Sequence, residues 1–152
     1  MMIALFTKLR TIATAPWLES LALLITRVAL AGIFWRSGRT KVEDGSLLTL
    51  SDTTFYLFQE EYAGVPLPAE LSAYMATYAE HLFPILLLVG LATRLSALAL
   101  LGMTLVIQIF VYPEAWWTVH MLWVALALQL ITRGPGALSL DHLLWRKMAT
   151  AA

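Results

Sequence analysis

The chain has 152 residues, 60% of them hydrophobic and 13% charged, with ten basic and ten acidic side chains and a mean hydropathy of +0.76. A soluble domain is about 45–50% apolar and roughly 25% charged, so these values point to an integral membrane protein of one domain, residues 1–152. The balanced charge gives no reason to expect a nucleic-acid partner, and the absence of cysteine removes disulfides, thiolate nucleophiles, iron–sulfur ligation and cysteine-type zinc sites. In chain order, the apolar stretch Met1–Phe6 precedes Lys8 and Arg10, the reverse of the order in a cleavable signal.

A bilayer crossing needs ~20 mostly apolar residues. Four such runs are predicted, at about 17–35, 69–91, 93–112 and 116–132. They predict an all-α integral membrane four-helix bundle. The second and third runs are separated only by the corner around Leu91–Arg94, and the third stops at Pro113, so consecutive spans are antiparallel neighbours. Ser37–Pro68 is the one long connection. Within it, Asp52 followed by Phe55, Leu57, Phe58 and Tyr62 predicts a short capped helix on the outer surface or over the bundle. Gly134-Pro-Gly136 ends the fourth span, and Ser139 is placed to cap a short amphipathic segment carrying Leu140, Leu143 and Leu144.

Lys8, Arg10, Arg94, Arg133, Arg146 and Lys147 fall on one side of these spans; Arg36, Arg39 and Lys41 fall on the other, among most of the acidic residues. By the positive-inside rule both termini are then cytoplasmic, and the chain is a multi-pass protein of a bacterial cytoplasmic (inner) membrane. Trp35, Tyr112, Trp116 and Trp117 mark the outer interface, Trp17 and Trp145 the inner one.

Chemistry is expected where charge lies inside a span. An arginine at a helix centre costs ~2.5–3.5 kcal/mol, and the eight Leu, Ile, Val and Phe residues around Arg27 offset on the order of 2.4–4.8 kcal/mol. Arg27 therefore needs a partner, and Glu80 is the acidic residue at matching depth in the second span, which predicts an Arg27–Glu80 ion pair. Such a pair serves either chemistry or a simple lock between two helices. Glu80, His81 and Arg27 are the candidate catalytic residues. Tyr74, Tyr78 and His81 follow i, i+4, i+7 spacing and predict one polar helix face, with Thr77 and Glu80 alongside. Pro84 removes the helical hydrogen bond to the Glu80 carbonyl.

Gln108 and His120 lie a few residues inside the Tyr112–Trp117 corner and are expected to come within reach of one another, with Trp123 one turn further. Tyr78, Gln108, His120 and Trp123 are the candidate cofactor-binding residues; a histidine flanked by tryptophans is equally an interfacial anchor. No metal-ligand spacing such as His-Glu-x-x-His occurs, and no metal is expected; GxGxxG, P-loop and GxSxG motifs are also absent.

Several segments resemble the DoxX family of small bacterial four-helix membrane proteins. They are Gly38-x-x-Lys41 after the first span, Glu80 in the second, and Gly90-Leu-Ala-Thr-Arg94 at the corner. Tyr62-Ala-Gly-Val-Pro-Leu-Pro68 and Arg133-Gly-Pro-Gly-Ala-Leu-Ser-Leu-Asp141 complete the likeness, which runs from about Thr26 to Asp141. The resemblance implies links to a thiosulfate:quinone oxidoreductase subunit, to membrane complexes handling thiol and oxidative stress, and to metal-related peptide modification. Gly38, Lys41, Glu80, Gly90 and Arg94 carry over as structural or site residues. Lack of cysteine argues against direct sulfur transfer.

Three roles stay open from the sequence. The chain could be an accessory component or oxidoreductase subunit of a quinone-associated redox system, with a protein partner in the bilayer and quinone as cofactor. It could be a non-catalytic scaffold for a soluble redox or peptide-modifying enzyme. It could be a small-solute transporter, for which four helices and no inverted repeat favour a homo-oligomer.

Overall fold

A computed structural model describes Thr11 and residues 14–151; Met1–Phe6, Lys8 and Arg10 lie outside the described residues. Among the described residues every regular element is a helix, with one isolated antiparallel bridge, Val42–Leu50. Helix α1 is Pro16–Arg39, α2 is Asp52–Glu60, α3 is Ala69–Val89 and α4 is Thr93–Phe110. A 3₁₀ turn at Pro113–Ala115 and a π turn at Trp116–His120 lead into α5, Met121–Arg133. Helix α6, Leu140–Ala151, follows.

The segments Pro16–Arg39, Ala69–Val89, Thr93–Phe110 and Pro113–Arg133 are each long and apolar enough to cross a membrane. They close into a ring, α1 packing on α3 and α5, and α4 on α3 and α5. Leu23, Leu30, Phe34, Leu87, Leu100 and Leu130 fill the middle. Leu82, Leu95, Ile109 and Leu122 point outward and are exposed, while Arg27, Thr77, Glu80, His81, Thr104 and His120 are buried. Apolar outside with polar groups inside is the polarity that a lipid solvent selects. Exposed Trp117 at one end and Trp17 and Trp145 at the other fit two interfacial belts.

Several boundaries differ from the expectation, the second span ending at Val89 and the fourth running from Pro113 to Arg133. The first helix runs one turn beyond Trp35, because backbone bonding continues through Arg36–Arg39, whose cations suit a helix C-terminus. That turn carries Ser37 and Gly38 on the helix. The third span ends at Phe110 rather than Tyr112. At α2 the N-cap position belongs to Ser51, not Asp52, and no side chain caps it; the Ser51 hydroxyl bonds those of Thr53 and Thr54 instead. Helix α2 lies against α3, with Phe58 buried and stacked on Tyr62 at 4.4 Å.

The α3–α4 corner is tightly made. Gly90 takes the left-handed conformation, φ 69°, and closes α3 with bonds from the Gly90 and Leu91 amides to Leu87 and Leu86. Ser139 caps α6 as expected, accepting from the His142 amide. This corner end of the bundle also carries the start of α1 and the end of α5. The opposite, loop end carries α2 and the Tyr112–Trp117 turn.

Candidate functional site

Arg27 and Glu80 do not meet. Arg27 is fully buried; its Nη1 donates to the Leu87 carbonyl at 3.2 Å and to that of Leu88 at 3.4 Å, and Nη2 donates to Leu138 O. Two of these acceptors are carbonyls in the last turn of α3, where a cation is favoured. The reason lies in side-chain direction. Every Cα–Cβ bond tilts toward its helix N-terminus, and α1 and α3 are antiparallel, so two long side chains at similar depth lean to opposite ends. Arg27 leans to the corner end, Glu80 to the loop end.

At the corner end the capping is mutual. Both Asp141 carboxylate oxygens accept from the first amides of α4, Ala92 N at 2.8 Å and Thr93 N at 2.9 Å. The Asp141 amide in turn donates to Gly90 O at 2.8 Å. A side chain on Gly90 would run into the Arg27 guanidinium and into Ser139, whose Cβ would lie 2.5 Å away. Gly90, Arg27 and the segment ending in Asp141 thus form one clamp. Its chemistry is hydrogen-bond completion.

At the loop end, Glu80 pairs with Lys41: Nζ to Oε2 is 2.7 Å, with both side chains almost wholly buried. Ser37 bridges them, its hydroxyl donating to Glu80 Oε1 at 3.1 Å and accepting from Lys41 Nζ at 2.9 Å. A longer contact of 3.4 Å runs from Nζ to Ser37 O. The Lys41 carbonyl accepts from Ser51 N at 3.1 Å and Thr54 Oγ1 at 2.8 Å, so the start of α2 fixes the lysine. Lys41 was counted from the sequence as a loop charge. Its i, i+4 spacing from Ser37 was the signal that both serve one face.

His81 is buried beside this pair. Its Nδ1 lies 2.7 Å from Thr77 O; a carbonyl only accepts, so Nδ1 is the donor in this bond. His81 Nε2 and Thr77 Oγ1 are buried without a partner. Gly38 makes the close approach possible: a Cβ there would come within 2.9 Å of the His81 ring and 3.1 Å of Glu80 Cβ. Tyr74 and Tyr78, by contrast, are 37% and 42% exposed. The expected polar wall divides, because an i, i+4, i+7 stripe drifts round the helix and only part of it faces inward.

A cavity of about 340 Å³ opens between α3 and α4. Lys41 and Glu80 stand at it with Ser72 and Tyr62, and its remaining walls are apolar, among them Phe58, Phe83, Met103 and Val106. Ser72 is 8% exposed and its hydroxyl has no partner. Burial and the nearby Glu80 carboxylate push the Tyr62 phenol above its ordinary value, so it stays a neutral donor. Glu61 accepts the phenolic hydrogen of Tyr112, and this bond pushes Tyr112 up to about 12. It also ties the segment after α2 to the segment after α4.

Gln108 and His120 do meet. Gln108 Nε2 donates to Pro113 O at 2.8 Å, which sets the amide so that Oε1 accepts from His120 Nδ1 at 2.7 Å. His120 packs on Trp123 at 5.1 Å, and Trp123 on Phe34 at 5.5 Å. The π turn at Trp116–His120 turns His120 inward. None of Tyr78, Gln108, His120 and Trp123 lines the α3–α4 cavity; Gln108, His120 and Trp123 form a separate cluster, and Tyr78 packs on Tyr74. Among the described residues no group of three metal-ligating side chains occurs.

Residues 22–113 match the DoxX family, a stretch containing Arg27, Gly38, Lys41, Glu80, Gly90 and Arg94. An uncharacterized protein of Haemophilus influenzae is 31% identical over 142 residues, covering 83% of this chain and 85% of its own length. No solved structure matches.

Proposed function

The chain is a multi-pass membrane protein of the DoxX family, and we propose that it holds a lipid-soluble quinone as an accessory component of a membrane redox system. The observation that carries this reading is the α3–α4 cavity: apolar walls with a few polar groups at one side, and lipid-facing Met75 and Val106 on its border. Its volume falls within the ~300–1,000 Å³ of small-molecule sites. A bound quinone supplies exchange of two electrons and two protons. The Ser72 hydroxyl, free of any protein partner, and the neutral Tyr62 phenol are the donors for its carbonyl oxygens. Lys41 can exchange its long 3.4 Å contact for a better acceptor. Glu80 is the carboxylate that takes up or returns a proton at the cavity wall.

Electrons enter through a protein partner in this reading, with the acidic loop-end surface of Glu43, Asp44, Asp52, Glu60 and Glu70 as the facing patch. The cavity half lies toward the outer leaflet of a bacterial inner membrane, and the corner end toward the cytoplasm. The loop end carries Arg36, Arg39 and Lys41 against the larger number of cations on the other side, which supports that orientation.

The test is gentle extraction followed by mass spectrometry for bound quinone, with a thermal shift on adding a short-chain quinone. Retained quinone and a raised Tm are expected, both abolished by Ala79→Phe, which fills the cavity. No retention and no shift would overturn the reading.

A further inference from the structure

The corner end carries a second recess, a groove of about 630 Å³ between the start of α1, the α3–α4 corner, residues 133–137 and α6. Cationic Arg94 and Arg133, with His142, stand on its walls, opposite Leu144, Trp145 and Met148 of α6. We propose that this groove binds an anionic glycerophospholipid of the surrounding bilayer, phosphate toward the arginines and acyl chain along the apolar face of α6.

Charge supports this first. Two acidic residues, Glu19 and Asp141, also border the groove, but neither satisfies Arg94. Asp141 has both oxygens committed to the Ala92 and Thr93 amides. Glu19 makes an exposed 3.2 Å pair with Arg133 through one nitrogen. Arg94 lies over the Gly134 backbone, with a single long contact of 3.5 Å to Thr132 O. Arg94 lines the groove and makes no ion pair among the described residues. Thr93, fully buried at the groove wall, also has a hydroxyl without a partner.

Height supports it second. The corner joins two membrane-crossing helices, so it lies at the membrane boundary by topology, and the Asp141–Gly90 bond pins the first turn of α6 to that level. Leu144, Trp145 and Met148 are 49%, 70% and 58% exposed there. A soluble anion would satisfy the arginines alone and leave these side chains in water. A phospholipid satisfies both, and basic pockets at the ends of membrane helices are suited to anionic head groups.

The experiment delipidates the full chain in detergent, returns dioleoyl phosphatidylglycerol or phosphatidylcholine, and counts retained lipid by native mass spectrometry. Phosphatidylglycerol is expected to be retained at least tenfold over phosphatidylcholine. Arg94→Gln and Arg133→Gln should each lower that preference by about fivefold, and Trp145→Ala should weaken retention of both lipids. Equal retention of the two lipids by the unaltered chain would overturn the proposal, whatever the variants do. So would full competition by glycerol 3-phosphate, which would make the site one for a soluble anion. Quinone retention is read in the same spectra and is independent of this result.

Discussion

The two buried cations of this bundle sit at opposite ends and are satisfied in different ways. Arg27 gives its guanidinium to backbone carbonyls, two at the end of α3 and one at Leu138, so its contacts are fixed wherever those helices end. Lys41 gives its ammonium to side chains, Glu80 and Ser37, beside a cavity with an unpartnered hydroxyl. A network of side chains can rearrange around an occupant; a network of backbone carbonyls cannot without unfolding a helix end. The corner end is therefore the fixed part of the molecule, and the loop end is where a ligand can be read.

That contrast can be broken by substitution. The largest effect should come from single changes in the ion pair. Glu80→Ala or Lys41→Ala leaves a lone buried charge and should cost about 3–5 kcal/mol, whereas Lys41→Met with Glu80→Gln should recover most of it. Denaturant titration in detergent reads the difference, and failure of the double variant to recover would mean the pair is not the isolated unit described.

Next, Arg27→Met should cost about 3 kcal/mol by removing the guanidinium donor from the carbonyls of Leu87, Leu88 and Leu138. Combined with Glu80→Gln it should be additive within about 0.5 kcal/mol, because the two residues share no partner. A coupling of several kcal/mol would restore the Arg27–Glu80 pair that the sequence suggested. The smallest effect is at Gly38, where Gly38→Ala should cost about 1–3 kcal/mol as α1 and α3 are forced apart. Thermal unfolding measures it, and an unchanged Tm would show that the His81 ring has room to move.

Much of the helical framework was legible from hydropathy alone, since lipid imposes length and polarity on each crossing. Pro113 and Gly134 marked helix ends where the backbone does end or turn. The Gln108–His120 contact was also legible, because both lie a fixed few residues from one short corner. Lys41 stood outside the apolar run and carried over as a structural or site residue by resemblance alone; the extra turn of α1 shows it facing Glu80. Tyr78 lies outside the α3–α4 cavity, and a shared helix face does not by itself say where that face is directed.

The sequence by itself determined a membrane protein of four apolar helices with polar side chains inside, because burying backbone and charge in hydrocarbon permits few other solutions. Only the tertiary structure decided which charge meets which. Depth along a helix can be counted from its ends, but the direction in which a long side chain leans depends on the sense of the neighbouring helix. In an antiparallel pair that direction sends Arg27 and Glu80 apart.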